Sequence, residues 1–244
     1  MALCCYFHFC CRGRNTGISF IDSTSIKACR NQRANSHKVF AGLADWGKNS
    51  FGWYYGFKLH LVINEQGELL SFVLTPANTD DRTVVPKLLE AIVGKVFGDK
   101  GYISQKLFNQ LLNKGVQLIT TVRKNMKNKL MTLEDKLWLK KRRLIETVND
   151  QLKNMYLIEH SRHRKVANFM VNLVAGLIAY TYQPEKPSAY IDYDSHNAYI
   201  YFIELRFDQL RLLIRERLEV MTQDVIASIV GWDYILEALS VAGI

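Results

Sequence analysis

The chain has 244 residues, 48% of them hydrophobic, and a formal charge of +9, which excludes a disordered segment and suffices for one domain with appendages. The charge is divided: residues 1–187 hold 28 Lys and Arg against 14 Asp and Glu, residues 188–244 hold 4 against 9, so the longer basic part is the one suited to a polyanion. All five cysteines lie at or before Cys29, which argues against a disulfide framework and for a reducing compartment; no run approaches the ~20 apolar residues of a membrane span, and no basic segment precedes the short apolar start as in a signal peptide.

Residues 1–15 read as an atypical Cys-rich leader in which Cys4, Cys5, Cys10, Cys11 and His8 match no recognised zinc-ligand spacing. A strand over 17–26 leads into Asp22. Two further strands, about 54–63 and 69–74, flank the polar loop Asn64-Glu65-Gln66-Gly67-Glu68 and read as a hairpin. Thr79, Asp80 or Asp81 can cap a helix over about 82–93. A short strand, Lys95-Val96-Phe97-Gly98, then delivers Asp99. A helix over 105–113 stops at Gly115, and 117–122 reads as a fifth strand. The basic loop 123–129 precedes one helix over about 133–156 that carries Glu146, and an apolar helix spans about 165–182, closed by Pro184 and Pro187. Three strands, helix, strand, helix, strand and helices is a mixed α/β order, and an RNase H-like mixed five-stranded sheet flanked by helices is one candidate among several that share it. Residues 188–244 change character and read as a helical C-terminal tail with no chemistry evident.

Asp22, Asp99 and Glu146 are the acidic residues placed where a cage for divalent metal could be assembled. On the long helix Arg142, Glu146, Asn149 and Lys153 fall in one stripe, opposite an apolar face of Leu144, Ile145, Val148, Leu152 and Met155. A solvated charged face is the plainer reading of such a stripe. Asp80 and Asp81 compete with Asp99 for the second acidic place but look like capping residues. His60 reads as a hydrogen-bonded histidine on the sheet, ahead of a ligand. Trp46, Trp53, Tyr54 and Tyr55 could stack on an unpaired base, although core packing is the simpler expectation.

The blocks Phe20-Ile21-Asp22-Ser23-Thr24, Gly56-Phe57-Lys58-Leu59-His60, Leu74-Thr75-Pro76-Ala77-Asn78-Thr79-Asp80-Asp81-Arg82 and Gly98-Asp99-Lys100-Gly101-Tyr102, with Arg142, Glu146 and Lys153, resemble DDE transposases of bacterial insertion sequences. The closest likeness is to the insertion sequence 982 family, over about residues 16–187. The resemblance implies a catalytic domain for DNA cleavage and strand transfer, with Asp22, Asp99 and Glu146 binding two Mg²⁺ (or Mn²⁺) ions. It matches Arg142 and Lys153 to the arginine and lysine that flank the glutamate in the family's last signature, where they could grip DNA phosphate; the basic loop with Arg123, Lys124, Lys127 and Lys129 reads as a flank contact or as a merely solvated loop. It implies double-stranded DNA (transposon ends and target) as partner, a homo-oligomer on DNA, and a bacterial cytoplasmic, nucleoid-associated location without membrane contact. The family's last signature begins with tyrosine three residues before the arginine, where this chain has Leu139. About sixteen residues stand where the family has a helical DNA-binding region, and the chain after Pro187 matches nothing in it. A truncated copy is therefore expected, the alternative being a catalytically silent DNA-binding or transposase-inhibiting fragment.

Overall fold

Alternation of side chains along β1 (Ile18–Lys27) divides the interior into two layers. Phe20 and Ile26 face one apolar cluster and Ile21 faces the other. The structure, a computed structural model, describes residues 2–121, 131–159 and 163–191. The basic loop with Arg123, Lys124, Lys127 and Lys129 lies outside the described residues, as does the tail from 192 onward.

The sheet is built around β1. It pairs antiparallel with β3 (Gly52–Asn64), from Ser19↔Asn64 to Lys27↔Gly56, and β3 pairs antiparallel with β4 (Leu69–Pro76). On its other side β1 runs parallel to β5 (Gly94–Gly98), and β5 parallel to β6 (Val116–Thr120). The order β4-β3-β1-β5-β6, three antiparallel strands followed by two parallel to the first, is the RNase H-like arrangement. The sheet has six strands rather than the expected five, because β2 (Asp45–Asn49) folds back on the Gly52–Gly56 end of β3. Its sequence, Asp-Trp-Gly-Lys-Asn, lacks an alternating apolar pattern and so carries no strand signal.

Helices cover both faces. α2 (Asp81–Leu88) and α3 (Gln105–Leu112) pack with Ile21, Val62, Leu70, Val96 and Leu118 on one side. Asp80, of the three capping candidates, is the α2 cap: its carboxylate accepts from Arg82 N at 2.9 Å. The opposite face carries Phe20, Leu59, Leu61 and Ile63 against α4 (Leu133–Lys141), α5 (Arg143–Asn154) and α6 (Val166–Thr181). The single helix expected over 133–156 is thus two helices, parted at Arg142. An Ile145 N–H bond to the Arg142 carbonyl, three residues back, tightens the joint. Each segment then buries its own apolar side, Trp138 on α4 and Leu144, Ile145, Val148 and Leu152 on α5.

The leader forms α1 (Ala2–Tyr6) and a π-type turn, Phe7–Cys11. Phe7 is buried edge-on against Phe72, with ring centroids 5.0 Å apart, so this segment packs on the core. Its four cysteines carry no disulfide. Among the described residues no helix is long and apolar enough to cross a membrane.

Candidate active site

The pairing of β1 with β5 ends at Phe20↔Phe97, after which the parallel strands part. Asp22 and Asp99 each stand two residues beyond that last pair, so two carboxylates flank the opening. Gly98 makes the approach possible: a Cβ there would sit 3.0 Å from Ile21 Cγ2 and 3.1 Å from a ring carbon of Tyr102. Asp99 then caps the short Lys100–Tyr102 turn by accepting from Lys100 N.

Asp22 pairs with Leu61 and shares its face, the one covered by α5. There Asn149 Nδ2 donates to Asp22 Oδ2 at 3.3 Å. Arg142 Nη1 lies 3.9 Å from Asp22 Oδ1, while its Nη2 donates to Glu146 Oε1 at 2.6 Å. Burial pushes the Asp22 carboxyl up to about 6; the Arg142 guanidinium and the Ser23 backbone N–H oppose that rise, and Glu146 and Asp99 add to it. Arg142 thus bridges Asp22 and Glu146, and the Asp99 charge also reaches Asp22.

The other sequence candidates are placed as follows. Lys153, at the far end of the α5 stripe, pairs with Glu159 at 3.5 Å, and Glu159 Oε1 accepts from Lys27 N. His60 is fully buried, with Nε2 2.9 Å from Thr75 Oγ1; burial is the main cause that lowers its pKa to about 4, so it is neutral at pH 7. Asp81 binds Lys58 at 2.9 Å. Tyr54 is buried, whereas Trp53 is 61% exposed and departs from the core-packing expectation. Two residues have a larger place than their sequence signals suggested. Tyr102 is buried, and burial, with the Asp22, Asp81 and Asp99 charges, pushes its phenol well above the usual range. Glu159 joins α5 to β1. Position beside Asp99 could have marked Tyr102; nothing local marks Glu159.

The donor set suits a hard divalent cation, since it is all oxygen and carries more negative charge than Arg142 neutralises. The buried Asn149 Oδ1 has no hydrogen-bond partner and adds a further oxygen beside Asp22. Among the described residues no three acidic, histidine or cysteine side chains stand close enough to hold a metal as they are. Glu146, 51% exposed, is held by Arg142.

A core of β1, β3, β4, β5 and β6, with aspartates after the parting of its two central parallel strands and a glutamate on a covering helix, defines the RNase H-like class. The family described as "Transposase DDE domain" matches residues 12–166, and the chain belongs to it. Among solved structures, a piggyBac transposase synaptic complex with hairpin DNA is 12% identical, with TM-score 0.44, covering 69% of this chain and 46% of that one. The catalytic core of BIV integrase is 9% identical, TM-score 0.41, covering 79% of this chain and 99% of that one. A simian T-cell lymphotropic virus intasome in complex with PP2A regulatory subunit B56 gamma is 15% identical, TM-score 0.38, covering 72% and 52% respectively. No curated protein matches the chain.

Proposed function

We propose that the chain is a transposase catalytic domain that cleaves DNA phosphodiesters and joins the freed 3′-end to target DNA, with Asp22, Asp99 and Glu146 as metal ligands. What supports this reading is the position of Asp22 and Asp99, each two residues beyond the last β1–β5 pair, and the reach of Arg142 to both Asp22 and Glu146. Two Mg²⁺ (or Mn²⁺) ions bound by these oxygens would supply Lewis-acid activation of the attacking oxygen and charge relief at the leaving one.

In cleavage, a water oxygen bonds to phosphorus as the opposite P–O3′ bond breaks, and the 3′-oxygen gains a proton. In joining, that 3′-hydroxyl bonds to a target phosphorus, and the target's own 3′-oxygen leaves. Arg142, released from Glu146, presents a planar fork to a phosphate. Asn149 holds Asp22 in orientation. Lys153, and the loop lysines and arginine Arg123, Lys124, Lys127 and Lys129, add phosphate contacts along the duplex. Double-stranded DNA, transposon ends and target, is the substrate, and a homo-oligomer pairs two ends. The motif blocks support an origin in a bacterial insertion sequence of the 982 type. The ion pair that engages Glu146 favours a second reading, a catalytically silent DNA binder.

Nicking of supercoiled plasmid in Mn²⁺ separates the two: activity lost in Asp99→Ala supports the enzyme, and activity unchanged in that variant overturns it.

A further inference from the structure

The β2–β3 hairpin turns through Ser50 and Phe51, and its tip carries two aromatics with little cover: Phe51 is 95% exposed and Trp53 61%. Lys48 pairs with Trp53 across the hairpin, and its ammonium stands 5.8 Å from the indole centroid. Residues 24–55 hold five basic residues, Lys27, Arg30, Arg33, Lys38 and Lys48, against one acid, Asp45. All five are exposed, and Asp45 is already hydrogen-bonded to Asn78. Exposed aromatics within a field of one positive sign suit neither a core nor an acid-poor apolar interface. They suit bases joined by phosphates.

The hairpin also stands on the face of the sheet that holds Asp22. Trp53, Tyr55, Phe57, Leu59 and Leu61 alternate onto one side of β3, and Leu61 is the partner of Asp22. A line of contacts runs between them: Asp22 to Asn149, then Lys153 one turn on, Glu159, the Lys27 backbone, Ala28 N bonded to Tyr55 O, and Asn31 Nδ2 bonded to Trp53 O at 2.7 Å. Eight residues of strand separate Trp53 from Leu61, on the order of 26 Å, or about eight nucleotides along one DNA strand.

We infer that the β2–β3 hairpin is a DNA-contacting element in which Trp53 and Phe51 stack on unpaired bases about eight nucleotides from the scissile phosphate, with Lys48 and Arg30 on the neighbouring backbone. The inference rests on the reading of the chain as a DNA-processing domain and extends it to single-stranded DNA beside the cleavage point.

The test measures anisotropy of a labelled oligothymidylate and of a blunt duplex of equal length on wild type, Phe51→Ala/Trp53→Ala and Trp53→Phe. The double variant is expected to lose about tenfold in single-strand affinity and less than about twofold in duplex affinity, with Trp53→Phe near wild type. Phe51→Ser alone, at a fully solvated position, gives the same single-strand loss in smaller measure should the double variant not fold. Equal losses on both probes, or no loss, overturn the inference. So does a wild-type dimer that the variants dissolve, which would make the hairpin a self-association face. Wild type that binds neither probe overturns the DNA reading too, whereas wild type that nicks plasmid while the variants keep full single-strand affinity overturns the hairpin's role alone.

Discussion

Asp22 is held in an unfavourable charge state at neutral pH, and that has a measurable sign. Its carboxyl, 3.8 in the unfolded chain, is raised to about 6 in the fold chiefly by burial. The folded protein therefore binds this proton more tightly, so the stabilisation is full below pH 3.8 and is lost as pH rises through about 6, a loss of about 3 kcal/mol at most. In EDTA, Asp22→Asn is expected to flatten this part of the pH dependence and to melt higher than wild type at pH 8; a lower melting temperature contradicts the burial account. Mg²⁺ is expected to raise the wild-type melting temperature at pH 8 and not that of Asp22→Asn. Arg142 opposes the rise at Asp22, so Arg142→Ala is expected to move the acidic limb of the nicking profile to higher pH, which a pH series of initial rates would read. Much of this was legible in the sequence: Asp22 stood on a strand, Asp99 stood between glycines, and Arg142, Glu146 and Asn149 shared a helix stripe. That Arg142 would bridge two of the acids, or Tyr102 be buried within reach of the Asp22 and Asp81 charges, was not, because both depend on approaches between elements far apart in sequence.

At the scale of elements, two contacts hold the sheet in the form that opens the site. Gly56 pairs with Lys27 at the end of the β1–β3 ladder, and a Cβ there would come 2.2 Å from Ile26 O and 2.8 Å from Ala28 N. Both are backbone atoms, at and just beyond the end of β1, that cannot turn aside, so Gly56→Ala is expected to destabilise by about 1–3 kcal/mol, seen as a lower urea midpoint. Tyr180 Oη donates to Gly67 O at 2.7 Å, tying α6 to the β3–β4 turn. Tyr180→Phe leaves that carbonyl without its partner and is expected to cost about 1–3 kcal/mol in the same measurement. The hairpin of β3 and β4 and the short β5 were readable from alternation and turn residues. The break at Arg142 was not: no Gly or Pro marks it, and Arg142 itself keeps a right-handed helical backbone. β2 was invisible for a different reason, since its pairing comes from the return of β3 rather than from any apolar pattern of its own.

For the whole molecule, the uneven charge is the feature that reaches beyond the site. Residues 1–187 carry twice as many basic as acidic groups. A phosphate-dominated interface on that part is expected to release counterions, so duplex affinity falls steeply between low and moderate salt in filter binding; a flat response rejects a DNA-binding surface. The RNase H-like order was accessible from the sequence because each main element announced itself locally. The sixth strand was not, and its pairing with β3 is what sets Trp53 beside an exposed hairpin tip instead of in the expected core. The most direct test of the central claim is the rate of plasmid nicking at pH 8 as Mn²⁺ is titrated, for wild type beside the near-isosteric variants Asp22→Asn, Asp99→Asn and Glu146→Gln. Wild type is expected to require the metal, and each variant to lose about a hundredfold or more while remaining folded. A metal-independent rate, or any one of the three variants nicking at the wild-type rate, contradicts the assignment of a carboxylate metal centre to Asp22, Asp99 and Glu146.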